Sequence, residues 1–194
     1  MPMEKTTEYT KALCSYIKRT NYEDIPPAVL ERAKMMVMQT IGSALASRPL
    51  KQCEDVLAMA REMSGGSQTG GATLWGDGTK VSAEAALLAA GAMSDMLDWE
   101  DCALTGHPSS GVIPTAVVMS EVLNKSGKEL LTAVVIGYEV YMRIALSGRS
   151  NLVAFNIFGC LPVLMKLLDM SEEEMNRCFG IGAACAIIPC NVHE

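Results

Sequence analysis

The segment from Ser82 to Asp101, "SAEAALLAAGAMSDMLDWED", decides the fold class, because its first three helical turns are almost entirely apolar. A helix that is apolar on every side belongs in a protein interior. Ser82 is a favoured residue at a helix N-cap, so it marks the start of this helix. Residues 111–124, "GVIPTAVVMSEVLN", have the same character and predict a second buried helix.

The flanking sequence predicts further helices on both sides of this pair. Apolar residues recur at helical spacing in 4–19, from Pro27 onward, and in 51–63, 125–146, 159–170 and 171–190. Ser126 is a candidate cap, and Ser171 with Glu174 forms a capping-box pattern. Residues 64–82 are rich in glycine and predict a short extended piece at Ala72–Trp75 and a turn at "GDG". Residues 148–158 are predicted to have irregular structure. The sequence therefore predicts an all-α helical bundle of seven or eight helices in one domain, residues 1–194.

Bulk composition excludes several classes of function. Hydrophobic residues make up 49% of the chain and charged residues 20%, which is typical of a globular protein with a packed core. The net charge of -6 and a pI near 5.0 argue against nucleic-acid binding, which favours a basic face. No apolar run is long enough for a membrane span, and the N-terminus lacks the features of a signal peptide.

The cysteines indicate a reducing compartment. Seven are present, an odd number without a C-x-x-C pair, at positions 14, 53, 102, 160, 178, 185 and 190. We interpret them as reduced, mostly buried thiols of a cytoplasmic protein. Two histidines and no cysteine pair offer no familiar zinc-ligand spacing, so we expect no metal site.

Ionisable groups concentrate between the two buried helices, in Met96–Ser110, "MLDWEDCALTGHPSS". If the first helix runs through Asp101, then Asp98, Asp101 and Cys102 share one helical face. At the end of a buried helix a carboxylate loses water and holds a proton more readily, which suits acid–base chemistry.

His107 follows a short loop and stands just before the next helix. Ser109 or Ser110 is expected to cap that helix, whose N-terminus would attract an anion and favour a neutral, basic imidazole. We expect Asp98 and His107 to transfer protons, and Asp101, Cys102 and Ser109 to contact the substrate.

Structural roles are the alternative for the same residues. Glu100 and Asp101 could be solvated at a helix end, and Asp98 could be a buried cap or ion-pair partner. His107 could be a structural histidine whose hydrogen bonds are satisfied. Spacing alone does not separate these roles from catalysis.

The sequence motifs around these residues are more specific than the spacing of the ionisable groups. A "WG" turn, the alanine-rich helix, "LDWED", "HPS" and "SGKELL…GYEVYMRIA" occur in this order, and "YEDIPPAVLERAKMMVMQTIGSALA" precedes them at residues 22–46. Together they resemble the MmgE/PrpD family over roughly residues 6–185. This resemblance implies a large helical domain, without the α/β lid domain that should follow it. It also implies a lyase or isomerase that acts on small polycarboxylates by proton transfer, without metal or organic cofactor.

The resemblance assigns roles to individual residues. Asp98 matches the active-site aspartate of the family's "LD" pair, and His107 matches the histidine of "HPS". Cys102 stands where the family usually has a substrate-binding threonine, and Glu100 replaces an aspartate. Asp95 takes the place of a frequent histidine.

A later family motif is also altered in "NLVAFNIFG", where Val153 and Phe155 replace a histidine and a threonine. Two functions follow from this mixture of matches and departures. The first is a subunit of a split or heteromeric enzyme, a homo- or hetero-oligomer with a lid-bearing subunit. The second is a truncated or degenerate, non-catalytic member that acts as a helical scaffold or regulatory partner.

Overall fold

The computed structural model describes residues 4–65, 71–103, 106–147 and 156–186, which form an all-α bundle as predicted. In chain order, the eight α-helices of these residues are α1 (Glu4–Arg19), α2 (Pro27–Ala46), α3 (Lys51–Met63), α4 (Ala83–Asp95), α5 (Ser109–Val122), α6 (Gly127–Ser147), α7 (Asn156–Leu167) and α8 (Glu172–Cys185). A 3-10 turn at Tyr22–Asp24 precedes α2. Among these helices, none combines the length and apolarity that crossing a membrane requires.

Local sequence explains where most helices begin. Pro27 opens α2, at a position where a helix needs no N–H donor. The Ser82 hydroxyl accepts a hydrogen bond from the Ala85 backbone N–H at the start of α4. Ser126 and Ser171 each form a reciprocal capping box, with Glu129 and Glu174 respectively. These predicted helix starts are confirmed.

The two helices predicted to be buried form the centre of the bundle. Helix α5 contacts α2, α4, α6 and α7, so it is surrounded on several sides. Val112, Ile113 and Ala116 of this helix are completely buried. On α4, the side chains of Ala89 and Met93 are also completely buried. Burial of most of their surface is the physical reason that both helices are largely apolar, although Leu88 of α4 is 45% exposed.

Two glycines allow α5, α6 and α7 to pack closely. A Cβ atom on Gly137 of α6 would lie 2.7 Å from Val163 and 2.9 Å from Val112. A Cβ atom on Gly159 of α7 would lie 2.7 Å from Val112. The Val112 side chain therefore occupies space that only glycine leaves open on both neighbouring helices.

A small hairpin joins α3 to α4. Its strands, β1 (Ala72–Thr73) and β2 (Lys80–Val81), pair antiparallel, so the predicted extended piece is confirmed over two residues. The "GDG" turn is also confirmed, since Gly76 and Gly78 have φ angles of 84° and 77° that favour glycine.

The observed ends of some helices differ from the predicted ones. Helix α4 ends at Asp95 rather than continuing to Asp101. Helix α7 begins at Asn156, earlier than the predicted residue 159. Helix α8 ends at Cys185, and residues 187–190, included in the predicted helix, lie outside the described residues.

Candidate active site

The link between the two buried helices, residues 96–108, gathers the candidate residues; we call it the site loop. Gln39 of α2 anchors it by donating a hydrogen bond of 3.0 Å to the Trp99 carbonyl. Ala103 and Gly106 exchange backbone hydrogen bonds of 2.8 and 3.1 Å, which fold the loop back on itself. The carboxylates that follow α4 are thereby brought near the imidazole that precedes α5.

The predicted shared helical face of Asp98, Asp101 and Cys102 is wrong. The helix stops at Asp95, and Asp98 adopts a left-handed backbone with φ of 53°, a conformation that aspartate tolerates better than most residues. The Asp98 side chain is 87% exposed, so the predicted loss of water around this carboxylate is also wrong. The position of the Asp98 carboxylate relative to other groups therefore depends on the conformation of the loop and not on helical spacing.

His107 lies just outside the N-terminus of α5, the place predicted from the sequence. Its side chain is about one-third exposed. Nε2 lies 3.9 Å from Oδ1 of Asp98, and Nδ1 lies 3.1 Å from Oε1 of Glu100. The second contact has ion-pair distance, although its direction is not that of a hydrogen bond. The structure therefore brings Asp98 and His107 together and adds a second carboxylate near the other ring nitrogen.

Glu100 is the residue that sequence reasoning undervalued. Its side chain is only 1% exposed, although a solvated position at a helix end was one expectation. Burial raises the pKa of the Glu100 carboxyl above its usual range, the Asp95 carboxylate raises it further, and His107 acts in the opposite direction. Glu100 lies within the "LDWED" match, and this match was the sequence feature that could have drawn attention to it.

Asp101 takes the capping role expected of a serine. Its Oδ1 accepts a hydrogen bond of 3.0 Å from the Ser109 backbone N–H, at the first residue of α5. Ser110 instead donates its hydroxyl to the His107 carbonyl at 2.9 Å, and the buried Ser109 hydroxyl finds no partner among the described residues. The expected cap by Ser109 or Ser110 is therefore wrong, because a carboxylate satisfies the first N–H of the helix from across the loop.

The family follows from comparison with known proteins. The MmgE/PrpD N-terminal domain matches residues 11–189 of the chain. The chain belongs to this family. The resemblance inferred from the motifs is confirmed.

The chain is also similar to individual fungal proteins. It is 24% identical to the cis-aconitate decarboxylase of Aspergillus terreus over 197 aligned residues, which cover 92% of this chain and 40% of that protein. It is 25% identical to the cis-aconitate decarboxylase-like protein oryM of Aspergillus oryzae over 195 residues, which cover 91% of this chain and 40% of that protein. The chain thus spans about 40% of the length of these relatives.

In this MmgE/PrpD domain, a cavity of about 470 Å³ opens beside the site loop. Its walls are mostly apolar and come from α2, α6 and the loop, with Arg32, Met36, Asp101, Cys102, Val135 and Tyr138 among the lining residues. Burial raises the pKa of the Tyr138 phenol, and the nearby Asp101 carboxylate raises it further. Cys102 is exposed at the edge of this cavity.

The five candidate residues therefore lie in three places. Asp98 and His107 meet at one end of the MmgE/PrpD site loop, together with the unpredicted Glu100. Asp101 and Ser109 meet at the helix N-terminus, and Cys102 lies beside the cavity. Their catalytic and substrate-binding roles stay predictions. Val153 and Phe155, the positions of the altered family motif, lie outside the described residues.

Proposed function

We propose that this chain supplies one wall of the proton-transfer site of an MmgE/PrpD-type lyase or isomerase that acts on a small polycarboxylate. The observation that carries the proposal is the proximity of His107 to two carboxylates, with Asp98 at 3.9 Å from Nε2 and Glu100 at 3.1 Å from Nδ1. An imidazole beside a buried carboxylate is a common arrangement for a general base.

Glu100 gives the two ring nitrogens different roles. The contact is not aligned as a hydrogen bond, but the negative charge of a carboxylate 3.1 Å from Nδ1 favours the tautomer that carries its proton on Nδ1, which leaves the Nε2 lone pair free. In dehydration or epimerisation, Nε2 removes a proton from the carbon next to a substrate carboxylate, and then the substrate hydroxyl leaves as water or a proton returns to the other face of that carbon. In decarboxylation, CO₂ leaves and the protonated Nε2 gives its proton to the allylic carbanion that remains. The exposed Asp98 carboxylate stabilises the imidazolium in each case, or passes the proton on.

Among the described residues, the cations that line the cavity are too few to hold a polycarboxylate. Arg32 is the single lysine or arginine of these residues that lines the cavity beside the loop. The Ser109 N–H, which an anion would otherwise use, already donates to Asp101. We therefore place the remaining substrate-binding cations on a lid-bearing subunit that assembles with this chain.

The names of the relatives indicate which substrate to test first. Both matched proteins carry cis-aconitate decarboxylase in their names, so cis-aconitate is the first candidate. Dehydration and epimerisation of related polycarboxylates begin with removal of a proton next to a carboxylate, whereas decarboxylation releases CO₂ and adds a proton to the allylic carbanion that remains. An assay in D₂O that follows both product formation and deuterium entry therefore detects all three reactions.

The decisive experiment combines the full chain with a lid-bearing protein encoded beside its gene and incubates the assembly with polycarboxylates in D₂O. NMR would follow deuterium entering the substrate and product formation. We expect turnover by the assembly, and a loss of about 100-fold or more in His107→Gln and Asp98→Asn. Glu54→Gln, an exposed change on α3, is the matched control and should retain full activity.

The scaffold alternative predicts a different outcome. An assembly that forms normally, yet exchanges no substrate proton with any polycarboxylate tested, would contradict the enzymatic proposal. Equal turnover by the wild type and the His107→Gln assembly would contradict the assigned base while leaving the enzyme class intact.

A further inference from the structure

The three side chains around the imidazole also form a set of metal ligands. Asp98, Glu100 and His107 each offer one ligand atom, and these atoms all lie within 4.8 Å of one another. Asp95 adds a further negative charge next to Glu100. Within residues 4–65, 71–103, 106–147 and 156–186, no lysine or arginine forms an ion pair with any of these three carboxylates.

A second observation points to a missing cation. The Glu100 side chain is 99% buried, and its Oε2 has no hydrogen-bond partner among the described residues. The buried Nδ1 of His107 likewise has no aligned partner there. Burying a carboxylate oxygen without a donor is costly, and a bound cation removes that cost directly.

We propose that Asp98, Glu100 and His107 bind a divalent transition-metal ion of the zinc and cobalt class. Glu100 and Nδ1 of His107 form the fixed half of the site, since both are buried and their atoms are 3.1 Å apart. Ligand atoms bound at about 2.0–2.2 Å in tetrahedral geometry lie between 3 and 4 Å apart, close to this spacing. Asp98 now faces the other ring nitrogen, but its side chain is 87% exposed and is free to rotate toward the ion.

The donor set selects the type of metal ion. Imidazole favours zinc, cobalt and their neighbours over magnesium and calcium, which prefer oxygen ligands alone. Three protein ligands leave at least one position for water or for a carboxylate of a small molecule. The pattern-based expectation of no metal rested on cysteine and histidine spacing, which cannot reveal a site built from two carboxylates and one histidine.

This inference is separate from the proposed function. A metal ion on His107 would occupy a ring nitrogen and oppose its use as a base, so bound metal is expected to inhibit proton transfer. Metal binding is measured on the chain without substrate or lid. A failure to bind metal therefore leaves the acid–base proposal standing, and a failure of the acid–base proposal leaves the metal site standing.

The test uses the untagged, reduced full chain with Zn²⁺ in a calorimeter and Co²⁺ in an absorption spectrometer. We expect one ion per chain, with the spectrum of oxygen and nitrogen ligands. Glu100→Gln and Asp98→Asn should each weaken binding by about tenfold or more, whereas Glu54→Gln should bind like the wild type. Asp98 is exposed, so its variant should fold even if Glu100→Gln does not.

Three results would overturn the proposal. One is the absence of binding at a one-to-one ratio in the micromolar range. Another is unchanged affinity in folded Asp98→Asn and Glu100→Gln. The third is a thiolate-to-cobalt absorption band, which would assign the ion to an exposed cysteine such as Cys102 or Cys185.

Discussion

The hairpin and the site loop are both short non-helical links next to α4, yet the partners of their carboxylates differ. In the hairpin region, Asp77 pairs with Arg61 and Glu121 pairs with Lys80. In the site loop, Asp98 and Glu100 face one imidazole and no lysine or arginine of the described chain. The ion pairs of the hairpin region stabilise the fold, because each carboxylate has a cation of its own.

The difference indicates that charged groups of the hairpin region stabilise the fold, whereas those of the site loop serve chemistry. Glu121 lies on α5 and accepts a hydrogen bond of 2.9 Å from the Thr73 backbone N–H, so its charge holds the hairpin to the central helix. The site loop is held instead by the Gln39 amide on the Trp99 carbonyl and by Asp101, whose carboxylate caps α5. Asp98, Glu100 and His107 have no cation partner of their own in the described part of the chain and are thus left available for protons, ions or substrate.

The largest expected effect concerns the packing of α6 against α5 and α7. Gly137→Ala places a methyl group against Val112 and Val163 and should lower the free energy of unfolding by about 1–3 kcal/mol. Gly180→Ala in α8 is the matched control, since a Cβ atom there meets no atom within 4 Å. The control should be neutral or up to about 1 kcal/mol more stable. Urea denaturation followed by circular dichroism compares them, and equal stability of the two variants would refute the close approach.

The second prediction compares the two links by matched amide substitutions. Glu121→Gln removes the charge that pairs with Lys80 and should cost about 1 kcal/mol, a value discounted because these side chains are partly exposed. Asp98→Asn keeps a residue that tolerates a positive φ and should change stability by less than about 0.5 kcal/mol. Thermal and urea unfolding of both variants provide the measurement. An Asp98→Asn variant as destabilised as Glu121→Gln would show that the charge of Asp98 also stabilises the fold.

The smallest expected effect concerns the helix cap at the start of α6. Hydrogen bonds from the Ser126 backbone and hydroxyl, with help from Lys125, lower the pKa of Glu129 to about 2. Because this pKa is lower in the folded chain, Glu129 adds stability above its usual pKa and loses that contribution as the pH falls toward 2. Glu129→Gln should therefore be less stable than the wild type at pH 7, and the difference should shrink at pH 3.5. Urea unfolding at both pH values provides the measurement, and a difference of the same size at pH 3.5 would contradict the lowered pKa of Glu129.

Much of the fold was predictable because helix signals are local. Apolar runs in 82–95 and 111–122, and caps such as Ser82 and Ser171, report on one or two turns of chain at a time. The family motifs likewise placed Asp98 and His107 in the same neighbourhood. The end of α4 was not predictable in this way, because "MLDWED" continues a helical pattern while Asp98 turns into the left-handed region.

The sequence by itself determined an all-α MmgE/PrpD domain with two buried central helices and a histidine at the start of the second. Only the tertiary structure decided that Glu100 is buried against His107 and that Asp101 caps α5. The physical reason is that hydrophobic periodicity and capping act within a few residues. Burial of a charged side chain depends on which distant helices cover the loop, and no local pattern encodes that.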